Sequence, residues 1–455
     1  MKSVYVKELR NYSKSQICEI LGNNEKIFNK LQEYAIIDKD KDKYQFKYVG
    51  IFIIEESVIK CYPKYITNEN NIEEDFKQVL NVVKKYKRLH DDFLYGNEEL
   101  KDISFNLLSL MLFFIEDYYE NGIYTNIRNM LEVNGTGEIN WDKTINETYP
   151  LIRKNKPYYT ELNTRYKIND LYDYFRLLHE YIITDCCKRL KKANLLDYFD
   201  LIPVELSDKT KDDFGDDEFI LNKIEKELLV EYNTHKQKLL KSMHAYISEE
   251  NSFNDENFLT LYGTTSYHVI WEEMCRQVFN DKFETKLKYL NLDLDFENKY
   301  SAEDKLKELI KNPKWTYKNN DPFHSKNPLN PDIITFFKDN FIILDAKYYS
   351  LKFEDNKVSN NPGISDISKQ YLYQLAYDEF IKDGCFEGVQ NAFLFPTYDS
   401  DIENEGQVEL EMFSSLRLEP IQIIRLPAKD INNMYLNNEK LKENDMEMLF
   451  KFDSK

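Results

Sequence analysis

The sequence predicts an α+β protein with several domains, and three observations support that fold class. The chain has 455 residues, of which 42% are hydrophobic, and this is more than one compact core usually holds. Helical spacing of apolar residues dominates the first two hundred residues, whereas short β-rich runs appear near residues 44–66 and 333–344. The expected order is an N-terminal winged-helix-like and β segment, a helical middle and a C-terminal α/β core.

Composition and charge exclude several classes of protein. The formal net charge of −19 argues against a nucleic-acid coat protein, because such proteins carry a basic excess. The most apolar run, residues 107–115, is far shorter than the roughly 20 residues that span a bilayer, and we expect a buried helix there. The six cysteines form no CxxC pair, and the N-terminal residues lack a stretch of the signal-peptide type. These features predict a cytoplasmic protein without a membrane partner.

The N-terminal segment has the pattern of two short helices followed by a hairpin. Helical spacing covers residues 13–37, with a break at a Gly-Asn-Asn sequence, and a polar turn follows at 38–43. Two β-rich runs, 44–54 and 57–66, are joined by two glutamates and predict a hairpin. This order predicts a winged-helix-like module in residues 1–45.

A winged-helix-like module binds either DNA or another protein, and the sequence leaves both roles open. The second helix offers only Lys26 and Lys30 as obvious phosphate ligands. Basic runs at 84–88 and 188–192 are each compatible with a phosphate path, but a solvated helix face is the commoner explanation of such runs. No G-x-x-x-x-G-K-[ST] motif occurs, so any nucleotide-driven motor must come from a partner.

The middle of the chain is predicted to be mostly helical from about residue 72 to 200. A loop with two glycines interrupts it at 133–144 and is either a phosphate-binding nest or a turn, with the turn favoured. Residues 201–257 are charge-rich and are interpreted as a charged linker or helical insertion. The remaining domains are then 46–200 and 258–455.

Two acidic residues are predicted to converge at one end of a hairpin. Apolar runs at 333–337 and 341–344 flank a polar turn, Asp332 precedes the first run and Asp345 follows the second. The outer ends of antiparallel strands are neighbours, so both carboxylates lie at the same edge of the sheet. Strand alternation puts Lys347 on the same face as Asp345.

Carboxylates held this close repel each other, and a hard divalent cation relieves that repulsion. Mg²⁺ is the natural candidate, with Mn²⁺ as a substitute. A bound Mg²⁺ polarises a phosphate and acidifies a bound water, and the ammonium of Lys347 can orient that water or stabilise the transition state. The expected chemistry is phosphodiester hydrolysis.

An Asp-x-Lys triplet alone is weak support, because similar triplets occur at 75–77, 284–286 and 303–305. None of these three ends an apolar strand. The specific signal is a Pro-Asp before the first strand, a hairpin, and a second strand that ends in Asp-Ala-Lys.

Two helices flank the hairpin in sequence. The first, 267–279, carries adjacent glutamates, and either Glu272 or Glu273 is available as a further metal ligand. His268 on the same helix is expected to be a capping or packing residue.

The second helix, 364–380, carries Gln370, Tyr373, Gln374 and Tyr377 at spacings of three and four, which can share one side. These amide and phenol groups suit either contacts with a phosphate backbone or packing of an amphipathic helix.

Together these motifs resemble the PD-(D/E)xK nuclease superfamily, with its helix glutamate, Pro-Asp strand, Asp-x-Lys strand and Gln-bearing helix. The closer resemblance is to the LlaJI-type restriction endonucleases and to the McrC subunits of McrBC-type systems. Residues 48–66 are similar to their N-terminal β segment that ends in Pro-Lys, and NGTGEINWDKT at 134–144 resembles the NGxGxIxW loop of the LlaJI type.

The resemblance implies an anti-phage endonuclease that acts on double-stranded DNA. It assigns Glu272, rather than Glu273, with Asp332 and Asp345 to the metal, Lys347 to catalysis and Gln374 to a supporting catalytic role. It also implies a partner AAA+ GTPase of McrB type, stimulated by the N-terminal half of the chain through residues 46–200. Two nuclease subunits would then pair on opposite DNA strands.

Two other hypotheses compete with this one. A non-catalytic adaptor could activate a motor and keep a nuclease-like fold as scaffold, although a scaffold has no need of metal ligands. A repair nuclease of the same superfamily would act on DNA ends, so activity on circular DNA separates it from a restriction enzyme.

Overall fold

In the computed structural model of the protein, the described residues are 2–54, 57–89, 107–250, 259–316, 323–324, 329–354 and 357–450. Their helices are α1 (Lys14–Ile20), α2 (Glu25–Glu33), α3 (Ile72–Leu89), α4 (Leu107–Asn121), α5 (Trp141–Glu147), α6 (Tyr174–Lys192), α7 (Asp217–Leu228), α8 (Thr234–Glu250), α9 (Tyr267–Val278), α10 (Ile364–Asp383), α11 (Ala428–Leu436) and α12 (Glu443–Phe450).

The strands are β1 (Lys2–Lys7), β2 (Ile37–Asp40), β3 (Lys43–Phe46), β4 (Val49–Ile54), β5 (Ser57–Tyr62), β6 (Ile127–Val133), β7 (Glu138–Ile139), β8 (Leu151–Arg153), β9 (Lys156–Tyr158), β10 (Asn163–Asn169), β11 (Leu259–Thr264), β12 (Lys314–Trp315), β13 (Phe323–His324), β14 (Ile333–Phe337), β15 (Asn340–Ala346), β16 (Lys352–Glu354), β17 (Lys357–Ser359), β18 (Gly388–Thr397), β19 (Glu403–Val408) and β20 (Ile421–Pro427). The protein is therefore a mixed α and β protein, as predicted.

The chain divides into two compact units that do not follow its order. The first unit holds residues 53–56 and 93–262 with residue 1, and the second holds 2–52, 57–92 and 263–455. The division passes within β4 and β11. The domain boundary predicted near 248–257 lies mostly outside the described residues.

The second unit is organised by a mixed five-stranded sheet in the order β14-β15-β18-β20-β19. The inner pairs β15–β18 and β18–β20 are parallel, and the outer pairs are antiparallel. Phe341 and Ile343 of β15 are fully buried and belong to one core cluster with Tyr377 of α10. Side chains alternate along a strand, so Asp345 lies on this same face, beneath α10.

The two predicted N-terminal helices are confirmed as α1 and α2. Ser13 closes a capping box with Gln16 at the start of α1, and the Asn24 side chain accepts hydrogen bonds at the start of α2. Apolar residues on the inner faces are buried: Ile17, Leu21, Ile27, Phe28 and Leu31.

The predicted hairpin at 44–66 is partly wrong. Residues 43–46 form β3, which pairs antiparallel with β2 across the region predicted as a polar turn. Only β4 and β5 are neighbours across the two glutamates, and they share a sheet with β1, which is parallel to β5 and was not predicted. The order of helix, helix and hairpin is present, and the winged-helix module itself stays a prediction.

The prediction of a mostly helical middle is wrong for residues 127–169. There β6, β10 and β7 form a three-stranded sheet, and β8 and β9 form a separate hairpin. Nearly all side chains of β6, β8 and β9 are exposed, so in these strands no buried face imposes the alternation by which a strand is recognised in sequence. Within the predicted loop at 133–144, the two glycines lie in the turn that joins β6 to β7, and residues 141–144 begin α5.

The apolar run at 107–115 is confirmed as a buried helix, α4, in which every residue of the run is at most 7% exposed. Among the described residues, none of the helices combines the length and the hydropathy that a membrane crossing requires. All six cysteines are free thiols.

Candidate active site

Strands β14 and β15 form the predicted antiparallel hairpin, closed by a two-residue turn. Ile333 lies opposite Leu344, so the next position outward brings Asp332 and Asp345 together. An Asp332 carboxylate oxygen also accepts a hydrogen bond of 3.0 Å from the backbone N–H of Ala346. The hairpin register and this bond together fix the two carboxylates at one end of the sheet.

Lys347 lies on the same face as Asp345, as strand alternation predicts. Its ammonium nitrogen is 2.8 Å from Oδ2 of Asp345 and 3.7 Å from Oδ1 of Asp366. Sequence reasoning missed Asp366, which lies in the first turn of α10. The signal was its spacing, because it precedes Gln370 by four residues and therefore shares its side of the helix.

Helix α9 is fastened to the sheet by hydrogen bonds on both sides of Glu272, one to β18 and one to the end of the hairpin. The buried Trp271 indole N–H donates to the carbonyl of Leu394 at 3.3 Å. The Arg276 guanidinium donates to the main-chain carbonyl of Asp332 at 2.9 Å. These anchors hold Glu272 near the hairpin end, where its negative charge helps to raise the pKa of Asp332.

The two adjacent glutamates face different neighbours. Glu272 interacts with Lys347 and Asp345, whereas the charge of Glu273 acts on Tyr435 of α11, where it adds to burial in raising the pKa of the phenol. This geometry favours Glu272 over Glu273 as a member of the site. His268 lies nearby on α9, and its pKa is lowered by burial and by the positive charges of Lys64 and Lys347.

Crowding of acids dominates the electrostatics of the site. Burial and the charge of Asp332 raise the pKa of Asp345 to about 7. Burial also raises the pKa of Asp332, with the charge of Glu272 as the second cause, and the pKa of Glu272 itself. Burial opposes the charge of Lys347, but the carboxylates of Asp345, Asp332 and Asp366 outweigh it and raise the pKa of the ammonium. The lysine therefore stays protonated while its neighbours compete for protons.

The predicted shared side of α10 is confirmed. Gln370, Tyr373, Gln374 and Tyr377 are all buried, with exposures of 6% or less. Tyr373 packs in the core and donates its hydroxyl to the carbonyl of Asn330 at 2.8 Å, which agrees with the packing role for this residue. The side-chain oxygens of Gln370 and Gln374 have no hydrogen-bond partner among the described residues, so two buried acceptors remain on this helix.

A cleft of about 420 Å³ opens beside these groups, lined by Glu272, Lys347 and His268 among others. Asp345 is only 7% exposed and lies behind the Lys347 ammonium. Carboxylate oxygens that repel one another are the donors that Mg²⁺ prefers, so Glu272, Asp332 and Asp345 fit the ion chemically. In the described parts of the chain, no three acidic, histidine or cysteine side chains form a ready-made metal cage.

The cleft also has a wall that sequence reasoning did not foresee. Glu8, from the N-terminal segment, is 9% exposed and accepts hydrogen bonds from the Tyr348 hydroxyl and from the backbone N–H of Lys64. The Lys64 ammonium lies 4.1 Å from the centre of the Tyr348 ring, a cation–π contact. Tyr348 follows Lys347 directly, so the N-terminal segment braces the strand end that carries the lysine.

Residues 48–429 match the LlaJI restriction endonuclease family. The chain is similar to the type II restriction enzyme BsuMI component YdjA of Bacillus subtilis (strain 168), with 29% identity over 474 residues, 98% of this chain and 91% of the relative.

Among solved structures, one similar chain comes from a refined half-complex of a tetradecameric assembly of Thermococcus gammatolerans McrB AAA+ hexamers with bound McrC. Its TM-score is 0.40 and its identity 12%, over 96% of this chain and 100% of that chain. A chain of the cryo-EM structure of the Thermococcus gammatolerans McrBC complex has a TM-score of 0.24 and 10% identity, over 54% of this chain and 79% of that one.

The raised pKa of Asp345 predicts how stability depends on pH. In the folded state this carboxyl stays protonated up to about pH 7, whereas in the unfolded chain it ionises near its ordinary pKa of about 4. The free energy of unfolding therefore falls progressively as the pH rises from about 4 to about 7, because ionisation of Asp345 costs more in the folded state than in the unfolded chain. We expect Asp345→Asn to raise the free energy of unfolding by roughly 2 kcal/mol more at pH 8 than at pH 5 in buffer free of divalent ions.

Urea unfolding at the two pH values measures this difference. Asp339→Asn, at an exposed position in the turn of the same hairpin, is the matched control and should show no such pH dependence. An equal effect of Asp345→Asn at both pH values would contradict the prediction.

Proposed function

The chain belongs to the LlaJI restriction endonuclease family, and on that premise we propose that it hydrolyses double-stranded DNA with Mg²⁺ at Glu272, Asp332, Asp345 and Lys347. The observation that carries this proposal is the convergence of Asp332, Asp345 and the Lys347 ammonium at one end of the β14–β15 hairpin. In a PD-(D/E)xK nuclease such carboxylates bind the metal and such a lysine donates hydrogen bonds. We therefore also propose that the C-terminal part of the chain has the core of that superfamily.

Each residue has a distinct role in this proposal. Glu272, Asp332 and Asp345 hold the metal, which when bound polarises the scissile phosphate and lowers the pKa of a water. Lys347 keeps its proton because three carboxylates surround it, so it acts as a hydrogen-bond donor to the attacking water or to a phosphate oxygen rather than as a base. Gln374, on α10, supports this arrangement from the buried side.

The proposal extends to a partner. The sequence has no P-loop, and we propose that an AAA+ GTPase of McrB type supplies the motor and is stimulated by this chain. Two copies of the nuclease would then act on opposite strands.

The support for that interface is an exposed apolar surface on residues 127–172 of the first unit. Monomeric proteins rarely expose so many large apolar side chains over a short segment. The exposed apolar residues are Ile127, Leu131, Val133, Trp141, Ile145, Tyr149, Leu151, Ile152, Tyr158, Tyr166, Leu171 and Tyr172.

Cleavage of circular duplex DNA tests the catalytic assignment. We expect Asp345→Ala, Lys347→Ala and Glu272→Ala each to lower the Mg²⁺-dependent cleavage rate by on the order of a hundredfold or more. Glu273→Ala, which changes the neighbouring glutamate, is the matched control and should cleave at close to the wild-type rate. The assay is run with and without the partner GTPase and GTP.

One result would contradict nuclease activity, and another would contradict the restriction role. Wild type that stimulates the GTPase but never cuts would establish the adaptor function. Cleavage of linear but not circular DNA would instead favour a repair nuclease that acts on ends.

Metal binding is testable without any cleavage. We expect Mg²⁺ to raise the Tm of the wild-type protein, since a ligand at ten times its Kd stabilises the folded state by about 1.4 kcal/mol. Asp345→Asn should lose this shift. Lys347→Ala should keep or enlarge it, because the ammonium no longer competes for the carboxylates. An equal shift in wild type and Asp345→Asn would place the ion elsewhere.

The partner interface has its own test. We expect Leu151→Ser with Ile152→Ser, two exposed residues of β8, to lower stimulation of the GTPase about tenfold by weakening binding. Leu229→Ser with Val230→Ser removes two equally exposed apolar side chains outside this surface and serves as the control. Equal stimulation by both variants would exclude β8 from the interface.

A further inference from the structure

A second, larger groove adjoins the catalytic cleft. It has a volume of about 810 Å³ and is lined by residues 7–10 at the end of β1, by residues from 64–69, and by residues from 349–352 and 360–361. We call it the N-terminal groove. It shares Glu8, Lys64 and Tyr349 with the cleft. The two cavities are therefore direct neighbours, and Lys347 lines the smaller one.

The N-terminal groove is basic, although the whole chain carries a net charge of −19. Its cations are Lys7, Arg10, Lys64 and Lys352. Burial lowers the pKa of Lys7, the charge of Glu69 opposes that shift, and the charges of Arg10 and Lys352 add to it, so both cations lie close enough to repel Lys7. A polyanion would relieve that repulsion.

The two acids of the groove leave it basic. Glu8 is buried and already accepts two hydrogen bonds, from Tyr348 and Lys64. Glu69 accepts a hydrogen bond of 2.6 Å from the Tyr62 hydroxyl and lies 3.8 Å from Arg10 in an exposed ion pair. Apart from Leu9 and Tyr349, the rest of the lining is neutral and polar, which suits contacts with phosphate oxygens: Gln45, Thr67, Ser350, Asn360 and Asn361.

We propose that the N-terminal groove binds the phosphate backbone of the DNA strand that leads to the scissile phosphate. This inference rests on the proposed nuclease function and adds the route by which the substrate reaches it. It assigns the N-terminal segment a role that does not depend on reading bases. Arg10 and Lys352 are the exposed cations that contact the backbone, whereas Lys26 and Lys30 of α2 lie outside the groove.

Binding of a fluorescein-labelled duplex by the full chain, measured by anisotropy without divalent ions over a range of salt, tests this route. We expect Arg10→Gln with Lys352→Gln to weaken binding about tenfold at low salt. The slope of log K against log salt should fall by about 1.8, since each lost phosphate contact removes about 0.9. Cleavage of circular DNA should fall in parallel.

Two controls separate charge in the groove from other effects. Lys26→Gln with Lys30→Gln removes the same number of charges from α2 and should leave affinity and slope unchanged. Arg10→Lys with Lys352→Arg keeps the charges and should restore wild-type binding, which excludes a folding defect as the cause.

These experiments distinguish failure of the groove proposal from failure of the nuclease proposal. If wild type binds and cuts DNA but the Gln variants of Arg10 and Lys352 bind equally well, the groove route is wrong and the nuclease proposal stands. If instead the α2 variant loses binding, the second helix is the DNA contact and the groove proposal falls. Wild type that neither binds nor cuts DNA would overturn both.

Discussion

Repulsion among buried carboxylates is the constraint on which the second unit depends. Asp332, Asp345 and Glu272 approach one another where burial already disfavours charge, and the positive charges of Lys347 and Arg276 partly offset them. Every neighbouring element has a part in holding this arrangement. The register of the β14–β15 hairpin fixes the positions of the two aspartates, and the two hydrogen bonds of α9 fix the position of Glu272. Helix α10 covers this face of the sheet and contributes Asp366. Such crowding costs stability in the absence of a cation, and active sites commonly carry that cost.

The core of the site could be predicted because its signal is local. A strand preceded by Pro-Asp and a second strand ending in Asp-Ala-Lys fix the geometry through strand alternation alone. Asp366 could not be predicted in the same way, since an acid in the first turn of a helix usually interacts only with the helix dipole. Glu8 is separated from Tyr348 by most of the chain, and no spacing rule connects them.

The strands that were not predicted from the sequence also lack a local signal. Strands β6, β8 and β9 expose both faces, so their sequences lack the buried alternation that identifies a strand. Strand β1 is short and pairs in parallel with β5, and the paired residues are 55 positions apart in the sequence. By contrast, α1, α2, α4, α9 and α10 each have apolar residues at helical spacing, caps or both, and they form near their predicted bounds.

The second compact unit joins residues 2–52 and 57–92 with residues 263–455, so nearly the whole chain must leave the ribosome before its strands and helices can meet. Domains that use adjacent residues fold as they emerge, whereas contacts of high sequence separation wait for synthesis to finish. The wall formed by Glu8 and Lys64 joins the hairpin only in that last stage. An incomplete or truncated translation product would therefore lack the assembled cleft beside Lys347.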